Sequence, residues 1–140
     1  MLPADLPGPV IAESEAPFWA ACREHRLVFR RCDDCAAWHH PPLPRCPRCR
    51  SARLQWAEAR GPARLYAWTR VHVALHPSVE GMPPYLVAVV EFPACGGVRL
   101  ITNLRAEAPR IGAELDLVWG TVGGAQPVPR FVQRETEDGR

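Results

Sequence analysis

Cys32-Asp33-Asp34-Cys35 and Cys46-Pro47-Arg48-Cys49, ten residues apart, decide how this chain is read. Two residues between cysteines let a tight turn aim both sulfurs at one ion, and two such turns complete a tetrahedron. Four sulfurs in that arrangement suit zinc or iron. Four protein ligands leave no position for water or substrate, so the expected ion is a structural zinc that serves folding. An iron-loaded electron carrier is the alternative, but nothing else in the sequence points to redox work. Four thiolates leave the site net negative, and Arg31, Arg45, Arg48 and Arg50 stand beside the ligands as compensation. Between the pairs, His39-His40-Pro41-Pro42-Leu43-Pro44 is a proline-stiffened connection with no helical reading. The ligand shell is already full, so His39 and His40 read as surface or packing residues.

Upstream of the cysteines, Ser14 is placed to cap a short helix from about Glu15 to His25, with Pro17 in its first turn. Phe18, Trp19 and Cys22 then lie near one face, and so short a helix must dock on something to persist in water. Residues 1–12, with Pro3, Pro7 and Pro9, read as an extended arm. Leu27-Val28-Phe29 leads into the first cysteine pair, and Leu54-Gln55-Trp56 leads out of the second.

Past Gly61-Pro62 the pattern becomes that of strands. Leu65 to Leu75 alternates with period two: Leu65, Ala67, Thr69, Val71, Val73 and Leu75 on one face, Tyr66, Trp68, Arg70, His72 and His76 on the other. Tyr85–Val90, Val98–Leu104, Leu115–Trp119 and Val128–Val132 supply four more strands, with Cys95-Gly96-Gly97 and Ile111-Gly112 as turns. The expected fold is mainly β: an N-terminal arm and helix (1–26), a rubredoxin-like zinc ribbon (27–60), a five-stranded OB-fold barrel (61–133) and a polar tail (134–140). An SH3-like barrel is the other five-stranded candidate.

Composition narrows the function classes. The formal net charge is only +2, all seventeen basic residues are arginine, and proline reaches sixteen, a bias that GC-rich coding explains. Residues 23–70 hold eleven arginines against Glu24, Asp33, Asp34 and Glu58, so the basic charge is concentrated around the cysteines. The opening Met1-Leu2-Pro3-Ala4-Asp5 has no secretory pattern, and no apolar run approaches the roughly 20 residues that span a bilayer. A cytoplasmic protein without a membrane span is expected. No nucleophile elbow, phosphate loop or HExxH motif is present, Cys22 reads as a core residue, and Cys95 lacks an acid or base in its motif. No catalytic residue is therefore assigned. A barrel with outward Tyr66, Trp68 and Arg70 invites comparison with single-stranded nucleic-acid modules, which stack bases on aromatics. The small net charge argues against that reading.

One ordered set of segments carries a resemblance. Phe18-Trp19 precedes the four-cysteine ribbon, which is followed by Leu65-Tyr66-Ala67-Trp68-Thr69-Arg70-Val71-His72, Pro83-Pro84-Tyr85-Leu86-Val87-Ala88-Val89-Val90-Glu91 and Gly97-Val98-Arg99-Leu100-Ile101-Thr102-Asn103-Leu104. Over residues 15–133 the chain resembles the zinc-ribbon/OB-fold proteins of acyl-CoA metabolism, long carried as a domain of unknown function. The resemblance implies a non-catalytic accessory subunit that binds acyl-CoA and supports a thiolase-like or lipid-transfer-protein-like aldolase partner, in sterol side-chain breakdown among other settings. A MaoC-like hydratase is a further implied partner. Tyr66, Trp68, Arg70, His72 and Tyr85 are then the expected acyl-CoA contacts, and Phe18 and Trp19 the expected partner face.

Overall fold

The computed structural model describes residues 1–136. Helix α1 (Ala16–Arg23) is entered through a single 3-10 turn at Glu13–Glu15. Ser14 is taken up inside that turn, so the expected serine cap does not form and no side chain caps α1. Pro17 sits where a missing N–H costs nothing. At the other end His25 adopts φ 56°, and the N–H groups of His25 and Arg26 donate to Cys22 and Ala21 at 2.9 Å. This paired closure normally uses glycine. Here the His25 ring stacks on Trp119 with centroids 5.2 Å apart, a contact glycine lacks.

The cysteine turns cut the next segment into three short strands, β1 (Val28–Cys32), β2 (Trp38–His39) and β3 (Leu54–Glu58), ordered β2-β1-β3 and antiparallel throughout. Five strands then close a barrel: β4 (Ala63–Val71), β5 (Tyr85–Phe92), β6 (Val98–Arg105), β7 (Glu114–Val122) and β8 (Gln126–Gln133). The order is β4-β5-β6-β8-β7, and only β6 and β8 run parallel, meeting at Leu104↔Phe131 and Arg105↔Val132. This is the expected OB-type closure.

Two features of β4 depart from expectation. The strand stops at Val71, leaving Val73 and Leu75 68% and 78% exposed in the following loop. Its register against β5 also slips: Leu65 faces Val90, whereas Ala67 faces Val89 and Trp68 faces Ala88. The extra residue is a β-bulge at Tyr66, and one inserted residue reverses the faces of all that follow. Tyr66 therefore does not share a face with Trp68 and Arg70. Tyr66 lies under Arg99, whose guanidinium is 3.7 Å from the ring centroid, on the outside. Trp68 and Arg70 share the side of the buried Ala88 and Leu86, beyond the short stretch at Ala63 and Arg64 that β7 covers.

A single core joins all parts. Phe18 and Cys22 of α1, Leu27 and Phe29 of the ribbon, and Leu65, Val90, Phe92 and Phe131 of the barrel form one cluster. Phe29 meets Phe92 at 5.1 Å between ring centroids, and Phe92 meets Phe131 at 6.1 Å. The N-terminal arm is held as well, with the Leu2 N–H donating to Asn103 Oδ1 at 2.8 Å and the Gly124 N–H to Ala4 at 3.0 Å. Arg134, assigned to the polar tail, pairs with Glu114 and Asp116 at 2.6 and 2.5 Å; residues 137–140 of that tail lie outside the described part. Among the described residues, no helix is long and apolar enough to cross a membrane.

Replacing Phe29 by Ala removes the ring that ties ribbon to barrel. A loss of about 3–5 kcal/mol is expected, in line with large-to-small core changes. Urea unfolding followed by tryptophan fluorescence and by far-UV circular dichroism will show both signals shifting together, because the ribbon and the barrel share this contact.

Candidate metal centre and binding surfaces

Each cysteine pair sits on a turn built by the main chain. In the first, the Cys32 N–H donates to Ala37 and the Ala36 N–H returns to Cys32 at 3.0 Å; in the second, the Cys46 N–H donates to Ser51 and the Arg50 N–H returns to Cys46 at 2.8 Å. Ala36 and Arg50, each directly after the second cysteine of its pair, take left-handed φ values of 62° and 66°. The two turns are structural copies. They bring all four sulfurs within 4.8 Å of one another, with Cys32–Cys49 and Cys35–Cys46 both at 3.6 Å. Sulfurs at about 2.3 Å from a tetrahedral zinc stand about 3.8 Å apart, so the donor set fits.

The turns also prepare the sulfurs for metal. The backbone N–H of Cys49 is the main influence lowering the Cys46 thiol to about 6, helped by that of Arg48, whose nitrogen is 3.4 Å from the sulfur. The N–H of Cys35 likewise lowers Cys32. At Cys49 the Ser51 N–H also pulls downward, but burial and the neighbouring cysteines push the thiol up to about 12. The protein alone thus favours partial ionisation, and a cation is needed to hold four thiolates together. Around the site, Asp34 accepts from Arg53 at 2.8 Å and from the Ser51 hydroxyl. Arg31 lies over Trp38, so part of the flanking arginine is engaged with aromatic rings.

The surface residues singled out in the sequence are dispersed. His72 and Tyr85 come together around a hollow of about 100 Å³ beneath the Pro83-Pro84 loop. Trp68, 39% exposed, and Arg70 lie on the strand leading to it, while Tyr66, 46% exposed, is on the opposite face. Phe18 is buried in the chain's own core, so of the pair proposed as a partner face only Trp19 has surface to offer. Cys95 is buried: its sulfur accepts from the Arg60 N–H at 3.2 Å, and burial pushes its thiol pKa up. That environment is inert.

Residues 19–55 match the family described as ChsH2, rubredoxin-like zinc ribbon domain, and residues 56–120 match ChsH2, C-terminal OB-fold domain. A solved structure named Ltp2-ChsH2(DUF35) aldolase contains a chain 36% identical to this one, superposing with a TM-score of 0.78 over 90% of this chain and 98% of that chain. The chain belongs to the ChsH2 (DUF35) family. A DUF35-family structure of unknown function from Sulfolobus solfataricus, 15% identical with a TM-score of 0.64 over 88% of this chain and 87% of its own, shows the same fold. The probable enoyl-CoA hydratase alpha subunit of Thermomonospora curvata is 39% identical over 116 residues, 81% of this chain. This chain spans 35% of that relative's length.

This chain also holds a feature that no motif in its sequence marks. Between α1, the His40-Pro41-Pro42 loop and strands β6 and β8 lies an apolar cleft of about 320 Å³. Arg130 lines it, and its only sequence signals are an arginine inside a buried strand and a glycine, Gly120, on the neighbouring strand.

Two outcomes test the metal centre. Purified protein is expected to carry about one zinc per chain by elemental analysis, and Cys46→Ser to lose it together with the ribbon's protection in hydrogen exchange. Equimolar iron would instead indicate an electron carrier. Ala36→Gly, which relieves a left-handed alanine, should stabilise the zinc-loaded protein by about 1 kcal/mol, read as a melting temperature about 2–4 °C higher.

Proposed function

We propose that this chain is a non-catalytic accessory subunit: its ribbon is built on a structural zinc, its barrel contributes to binding an acyl-CoA, and it supports a thiolase-superfamily catalytic partner of the lipid-transfer-protein-like aldolase type. The observation that carries this reading is the likeness to the ChsH2(DUF35) chain of an aldolase named for both Ltp2 and ChsH2, of which this chain covers 98%. The chemistry agrees with it. The four-cysteine cluster has no open ligand position, and the buried thiols Cys22 and Cys95 are both pushed up in pKa by desolvation. The hydratase relative, in which a similar segment forms about a third of a longer chain, supports a MaoC-like hydratase as a further partner. A cytoplasmic location accords with the reduced cysteines this metal site needs.

Within this proposal Trp68, Arg70, His72 and Tyr85 form the strip that meets the CoA ester, running along β4 to the hollow under Pro83-Pro84. Tyr66, with Arg99 above it, belongs to the partner face, while Trp19 borders the cleft beside α1. The arm and helix, ribbon and barrel act as one platform because they share a core. A nucleic-acid role has less behind it, since the bulge divides the aromatic strip and Arg30, Arg31 and Arg60 lie over Trp56 and Trp38.

Tagged protein drawn from native lysate is expected to bring down a thiolase-superfamily subunit in stoichiometric amount. With the reconstituted complex, the double change Trp68→Ala and Arg70→Ala should weaken CoA-ester binding by about tenfold or more in calorimetry. Unchanged affinity would remove these residues from the strip. Strongly salt-dependent oligonucleotide binding, with no catalytic partner recovered, would overturn the accessory-subunit reading.

A further inference from the structure

Buried charges are normally paired, because an isolated guanidinium loses its water without recompense. Arg130 breaks that rule. It is 7% exposed, forms no ion pair or side-chain hydrogen bond among the described residues, and its Nε is buried without a partner. Phe131 points into the barrel core, so the neighbouring Arg130 faces the other way, toward the cleft under α1. Room is made for it on β7: a Cβ at Gly120 would stand 2.9 Å from both Cγ and Nε of Arg130. Thr102 donates to the Pro129 carbonyl at 2.6 Å, which ties β6 to β8 where Pro127 and Pro129 have no N–H to offer the ladder.

The walls around this arginine are apolar. Phe18, Trp19, Pro41, Leu100 and Val128 all border the cleft, whose volume of about 320 Å³ lies at the lower end of small-molecule sites. Among the described residues Glu15 is the single acidic group on its border, and His40, also bordering it, is pushed toward its neutral form by burial. One cation against one rim acid does not suit a polyphosphate. It suits a single negative charge carried on an apolar body.

We propose that the cleft between α1 and β8 is a binding site for a small monocarboxylic acid, its apolar body against Phe18 and Trp19 and its carboxylate on Arg130. Arginine matches a carboxylate in a planar, paired geometry, and the surrounding apolar wall strengthens the contact. The site is distinct from the Trp68–Arg70 strip, so its failure leaves the CoA-ester proposal standing, and the reverse also holds.

Octanoate and octan-1-ol are matched probes, used on the full chain in its zinc-loaded form. Saturable octanoate binding is expected, with the Arg130 side-chain N–H resonance shifting as the site fills and octan-1-ol at least about tenfold weaker. Arg130→Met should melt no lower than the wild type, since it removes an unpaired buried charge while keeping the apolar stem. It should also lose octanoate affinity by at least about tenfold. Equal affinity for acid and alcohol, unchanged octanoate binding in Arg130→Met, or no saturable octanoate binding to the wild type would each overturn the proposal.

Discussion

Phe29 leaves the ribbon on β1 and ends against Phe92, which in turn reaches Phe131 across the barrel. Helix, ribbon and barrel share the core that this line of rings runs through. The strand that carries Phe29 ends at Cys32, so the metal ligands hold one end of the strand whose other end is packed in the core. The metal therefore acts at a distance. By fixing two turns it fixes the course of β1, and through β1 the angle at which ribbon and barrel meet. A three-stranded ribbon this small could not bury enough surface to hold that angle alone.

The basic character of residues 23–70 looks different once the side chains are placed. Arg30 lies over Trp56, and Arg31 and Arg60 both lie over Trp38. Arg26 bridges Glu24 and Glu58, and Arg53 pairs with Asp34. Much of the excess is thus spread across rings and local acids. It does not gather into one phosphate-binding surface. The aromatic partners are the tryptophans of the ribbon and its border, where a weakly hydrated, planar guanidinium packs better than an ammonium.

What could be read in the sequence was whatever has a local cause. The cysteine spacing is a short-range geometric instruction, and the barrel strands follow from alternation and from glycine turns. What escaped was set by distant partners. The bulge at Tyr66 exists only in the pairing of β4 with β5, and no residue of the run announces it; alternation read along one strand therefore placed Tyr66 and Trp68 together. Ser14 is a good cap in isolation, but the 3-10 turn starts the winding earlier and uses it up. Phe18 is apolar whether it faces a partner or its own core, and only the position of β6 and β8 decides between them. Arg130 was illegible for the same reason: its burial is imposed by α1, more than a hundred residues earlier in the chain.

The seat of α1 has a consequence for the order of events during synthesis. The Gln126 side chain donates to the Trp19 carbonyl across a separation of 107 residues, and Arg23 reaches back to Gln126 across 103. The helix leaves the ribosome more than a hundred residues ahead of the strand it rests on. Until that strand follows, Phe18 and Trp19 have no barrel to cover them, and a helix of eight residues does not persist unsupported. The ribbon, whose pairings are local, is free to form around its ion while the rest is still being translated. An element made ahead of the barrel is seated only once the barrel has closed.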